Sequence, residues 1–139
     1  MQQQPSQNNV QALSAEDAEK LYFNSFPVVR PDEYKRQLLY LTYATIKENV
    51  RITTNKLAWY LDTHFSFVEA DVQIAVNALS NSAMYGTVTK FVLPAAPNRK
   101  RAIQLSLKPT EGSTIINEWM DLVLKTNPEF ASLVAPTIV

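Results

Sequence analysis

Three observations predict a mainly α fold with one small β hairpin. Apolar residues recur at helical spacing through 33–48, 55–62 and 66–82. The last two of these stretches are separated by only the short segment Asp62–Phe65. Two runs rich in β-formers follow, 87–93 and 102–108, divided by the proline-rich basic stretch PAAPNRKR. Helix, short turn, helix and basic hairpin is the order of a winged helix-turn-helix, with the helix-turn-helix over about 54–82 and the wing over about 86–108. A chain of 139 residues suits a single domain.

Residues 1–12 are rich in Gln and Asn and are expected to be a disordered tail, so the domain spans 13–139. Ser14 is placed to cap a first helix whose early turns carry Glu16, Asp17 and Glu19, where the helix dipole favours negative charge. Leu21, Tyr22 and Phe26 give it apolar surface before Pro27 and Pro31 break the chain. Asp32 precedes a second helix over 33–48, with Leu38, Leu39, Leu41, Tyr43 and Ile46 on its apolar face. Val50, Arg51 and Ile52 are expected as a short strand. Thr53 or Thr54 caps a third helix, 55–62, with Leu57, Ala58 and Leu61 in its buried stripe.

Ser66 and Glu69 fit the S-x-x-E capping box, which predicts a fourth helix from Ser66 to about Ser82. Val72, Ala75, Val76 and Leu79 form its inward row, while Ala70, Gln73, Ile74 and Asn77 point outward. Gly86 ends the turn before the hairpin. A last helix over about 113–126 is apolar around most of its circumference, so it needs burial on several sides. A body this small cannot supply that burial alone. The expectation is a homodimer joined through the N- and C-terminal helices, using Leu21, Phe26, Ile116, Trp119, Met120 and Val123.

Composition narrows the chemistry. There is no cysteine, which removes disulfides and thiolate metal sites, and two glycines cannot build a glycine-rich phosphate loop. His64 is the single histidine, so no zinc set and no nucleophile–base pair is expected. No enzyme activity, metal or cofactor is predicted. No apolar run approaches a membrane span, and the N-terminus lacks the pattern of a signal peptide, so a cytoplasmic protein is expected.

Charge points in two directions. The whole chain carries 13 basic and 13 acidic residues, whereas dedicated nucleic-acid binders are more often basic. Between Lys90 and Lys108, however, the five charged residues (Lys90, Arg99, Lys100, Arg101 and Lys108) are all basic. Such a loop suits phosphate or minor-groove contacts. The fourth helix argues the other way: from Leu57 to Thr89 there is no Lys or Arg, while Asp62, Glu69 and Asp71 are acidic. Gln73 and Asn77 share a face at i, i+4, and amides can pair with adenine edges. Arg51 and Lys56, flanking the third helix, are the remaining phosphate candidates. Tyr40, Tyr43 and Trp59 could line a ligand cleft, although ordinary packing accounts for them as well.

The segments ITTNKLAWYLDTHFSFVEADVQIAVNALSNSAMY and RKRAIQLSLKPTEGSTIINEW resemble the MarR family of winged-helix transcriptional regulators. That resemblance implies a homodimer whose second helix-turn-helix helices enter successive major grooves of double-stranded DNA. The wing here reads Asn98-Arg99-Lys100-Arg101 and lacks the family's aspartate. The functional expectation is therefore a sequence-specific DNA-binding regulator using Arg51, Lys56, Gln73, Asn77, Lys90, Arg99, Lys100 and Arg101. The alternative is a winged helix serving as a protein-interaction module through its acidic helix.

Overall fold

The computed structural model describes residues 14–95, 97, 101–107 and 125. Within them the order is α1 (Ala15–Phe23), α2 (Asp32–Glu48), β1 (Ile52–Thr53), α3 (Thr54–Phe65), α4 (Glu69–Ser80), β2 (Val88–Val92) and β3 (Ile103–Leu107). The described chain is thus mainly helical, with a small antiparallel sheet. The expected tail, the expected helix over 113–126, and with it Ile116, Trp119, Met120 and Val123, lie outside the described residues.

Ser14 caps α1 as its sequence position suggests, its Oγ accepting the Asp17 N–H at 3.1 Å. Nine residues cannot form a stable helix unaided, so α1 depends on α2. Tyr22 is fully buried and donates its hydroxyl to the Lys35 carbonyl at 2.8 Å. Lys35 donates to the Phe23 carbonyl at 3.0 Å, and the Arg36 guanidinium holds both carboxylate oxygens of Glu19. Tyr22 also packs edge-on against Phe26, with ring centroids 5.2 Å apart.

α2 begins at Asp32, so Asp32 is the first helical residue and not the cap. Pro31 occupies the cap position and makes no side-chain hydrogen bond there. Residues 38–43, 45 and 46 are all buried, so the middle of α2 is enclosed almost all round, beyond the single apolar face that the sequence shows. Thr45 tolerates this by donating its hydroxyl to the Leu41 carbonyl at 2.6 Å. Among the described residues, the hydroxyls of Thr42 and Tyr85 are buried without a hydrogen-bond partner.

The strand expected over 50–52 lies at Ile52–Thr53 instead. Arg51 has φ 64, and the Ile52 N–H closes a turn onto the Asn49 carbonyl, so extended backbone starts only at Ile52. Thr53 caps α3, accepting the Lys56 N–H at 3.2 Å. α3 then runs through the residues expected to form the turn and stops at Phe65.

The capping-box reading of Ser66 is corrected. Ser66 adopts a left-handed conformation, φ 63, and terminates α3, its N–H bonding the Asp62 carbonyl at 2.9 Å. The cap position of α4 belongs to Val68, which has no side-chain hydrogen bond to offer. The chain must turn sharply between the two helices, and Ser66 is spent on that turn. α4 ends at Ser80, two residues short of the expected end, and Asn81 Oδ1 then accepts the Ala83 N–H. Gly86 sits at φ +58, where an added Cβ would lie 3.2 Å from Ser82 Cα.

The sheet order is β1-β3-β2, all antiparallel. Register pairs Ile52 and Lys90 with Leu105, and Val88 with Leu107. Ile52, Val88 and Leu105 therefore share one face and close the core against Leu38, Leu39, Leu57, Leu61, Val72, Val76 and Leu79.

Burial raises the phenol pKa of Tyr22 and of Tyr85 well above the usual value near 10, and it is the main reason that Tyr34 is raised to about 12. The folded state thus holds these protons at pH values where the unfolded chain releases them. Their contribution is complete below about pH 10 and is lost as pH rises towards 12. Urea midpoints measured from pH 8 upward are expected to be level to about pH 10 and then to fall steeply.

Candidate nucleic-acid interface

Helices α3 and α4 are joined by the three residues Ser66–Val68. Val72, Ala75, Val76 and Leu79 face the core as expected. The flank holding Asp71, Ile74 and Ala78 lies beside the connection between α1 and α2, which supplies Arg30 and Ser25. What remains open is a stripe of Glu69, Ala70, Gln73 and Asn77.

Asp71 is the residue that sequence reasoning placed least well. Counted among the acidic residues of the fourth helix, it is instead buried, with 3% of its surface exposed. Its Oδ2 accepts from Arg30 Nε at 2.9 Å and from the Tyr34 hydroxyl. The Arg30 guanidinium carbon also lies 5.4 Å from the centre of the Tyr34 ring. The partners stand 41 and 37 residues away, so no local pattern could have signalled the contact. After burial, the hydrogen bond to the Asp71 carboxylate is the next cause of the raised Tyr34 pKa.

The open stripe meets the hairpin at one point. Lys90 Nζ donates to Asn77 Oδ1 at 2.7 Å. Lys90 reaches α4 because its register with Leu105 puts it on the core-facing side of β2, at the rim. Gln73 sits one turn earlier on the same stripe and is exposed. Arg51 is exposed before β1, and Lys56 is exposed in the first turn of α3. Arg101 is exposed just before β3, where the Leu93 N–H closes the hairpin onto the Ala102 carbonyl at 2.7 Å. Arg99 and Lys100 lie outside the described residues. No described hydrogen bond or ion pair links Arg51, Lys56 or Arg101 to the amide stripe.

Of the two described residues expected at a dimer interface, Leu21 is 47% exposed on α1. Phe26 is half-buried against its own chain, beside Tyr22 and the Lys35 ammonium. Of the residues suggested for a ligand cleft, Tyr40 and Tyr43 are buried in α2, while Trp59 is 55% exposed. Trp59 instead borders a groove of about 220 Å³ with Asn55, Ala58, Asp62 and Glu69. A second depression, about 230 Å³, is lined by Ser25, Ile74, Asn77, Ala78, Asn81 and Met84. His64 packs its ring 4.5 Å from Tyr60 and 6.2 Å from Trp59. The described residues contain no cluster of three potential metal ligands and no helix long and apolar enough to cross a membrane.

No protein-family model, curated protein or solved structure matches this chain.

Replacing Asp71 with Ala would leave the Arg30 and Tyr34 donors without their acceptor in a largely buried site. Equilibrium urea unfolding is expected to show a loss of about 1–3 kcal/mol, held to that range because Arg30 is partly solvated. Asp71→Asn, which keeps an acceptor oxygen, is expected to lose less.

Proposed function

We propose that the chain is a winged helix-turn-helix that binds double-stranded DNA as a homodimeric transcriptional regulator. The element order from α2 to β3 and the sheet order β1-β3-β2 support the fold assignment. One observation carries the functional reading: the Lys90–Asn77 hydrogen bond, which joins a hairpin cation to the open stripe of the second helix. In this reading α4 lies in the major groove, Gln73 and Asn77 offer amides to base edges, and Lys90 accompanies them as a phosphate contact. Arg51, Lys56 and the loop residues Arg99, Lys100 and Arg101 supply further phosphate contacts. The burial of Asp71 supports it too, since one acidic charge is withdrawn from the surface that would approach DNA. Pairing through Leu21 of α1 and through Ile116, Trp119, Met120 and Val123 would set two such units at one operator.

A second reading, as a protein-interaction module, is favoured by the surface around Trp59, where Asp62 and Glu69 remain exposed beside an indole. A gel-shift titration with random duplex DNA at low salt separates the two, and no binding at micromolar protein selects the second. If the DNA reading holds, replacing Arg99, Lys100 and Arg101 together by Gln lowers affinity by about tenfold or more at ~0.1 M salt. It also reduces the slope of log K against log salt by roughly 2–3. Unchanged affinity and slope would remove the loop from the interface.

A further inference from the structure

We propose that the groove beside Trp59 receives the basic hairpin loop, residues 97–101, of a second copy of this chain. The inference goes beyond DNA binding and does not rest on it. The groove combines a half-exposed indole with two carboxylates, those of Asp62 and Glu69. Neither carboxylate makes an ion pair with a described residue. The chemistry the indole attracts is already visible within the chain, because the Lys56 ammonium sits 5.9 Å from the ring centre. An arginine fits such a site best: its planar guanidinium stacks on an aromatic face and forks onto carboxylate oxygens.

Charge distribution selects the occupant. The chain is neutral overall, yet its charges are segregated. Apart from Lys56 at its edge, the groove lies in a stretch without cations, since no Lys or Arg occurs from Leu57 to Thr89, and no Asp or Glu occurs from Lys90 to Lys108. Elsewhere three cations of the helical body are engaged: Arg30 with Asp71, Arg36 with Glu19 and Lys35 with the Phe23 carbonyl. The run Arg99-Lys100-Arg101 is the chain's one stretch of three successive cations. Groove and loop are different segments of the same chain, so the contact is head-to-tail and each copy carries both halves. A five-residue loop in so small a groove makes a weak contact, formed at high protein concentration and low salt.

Sedimentation velocity of the full chain without DNA tests this, from about 10 to 500 µM protein at ~0.05 and ~0.5 M salt. The species persisting at high salt is the reference. At low salt, further association that grows with concentration is expected. It disappears in the Asp62→Asn, Glu69→Gln double variant and in the Arg99→Gln, Lys100→Gln, Arg101→Gln triple variant. Trp59→Ala weakens it about three- to thirtyfold. The decisive arm mixes the double and triple variants in equal amounts. One retains an intact loop and the other an intact groove, so the mixture regains a single contact that neither forms alone. Association of either variant like the wild type, or no recovery in the mixture, overturns the proposal. So does a wild type that never self-associates while a synthetic arginine-rich peptide quenches its tryptophan fluorescence, which would assign the groove to another protein. DNA is absent throughout, so either result leaves the DNA reading to its own experiment.

Discussion

The carboxylate of Asp71, held by Arg30 and Tyr34, fixes how the fourth helix is turned. It draws one flank of α4 against the connection between the first two helices. Since α4 already commits Val72, Ala75, Val76 and Leu79 to the core, only the stripe through Gln73 and Asn77 stays open. The network therefore decides which side chains a ligand can meet. Removing a charge pair from water is costly, and its Coulomb attraction alone rarely offsets that cost. Here the site is completed by a phenol hydroxyl, and a rim-exposed arginine keeps part of its hydration. The arrangement is better understood as a device for orientation than as a source of stability.

A similar division of labour holds α1 in place. Its apolar surface is small, yet Tyr22 and Phe26 reach into the body while Lys35, Arg36 and Glu19 clamp the outside. Each long cation spreads over aromatic rings as well as carbonyl or carboxylate oxygens, so the stems contribute contact area and the heads stay wet. Phe26 is accordingly spent largely within its own chain, and Leu21 is the large apolar residue that α1 leaves outward.

The sequence disclosed whatever depends on local periodicity. The inward row of α4, the caps at Ser14 and Thr53, the turn at Gly86 and the two hairpin strands all follow from spacing and side-chain chemistry within a few residues. It misled at Ser66, where a pattern suited to opening one helix belongs to the close of another. A left-handed backbone at serine is set by the need to reverse the chain and leaves no mark in the residue types. The Asp71 contacts were illegible for a different reason, being long-range. Trp59, expected in a cleft or in ordinary packing, is half-exposed, and its place beside the Leu57, Ala58 and Leu61 stripe is visible in the spacing. For the candidate site, the amides of Gln73 and Asn77 were legible, whereas the bridge from Lys90 to Asn77 required the sheet register.

The two hydroxyls left bare in the interior, those of Thr42 and Tyr85, bear on the chain's stability as well as its packing. Among the described residues neither finds a partner, and valine and phenylalanine of similar shape would carry no such cost. Removing either oxygen at constant shape is thus a route by which the interior gains stability.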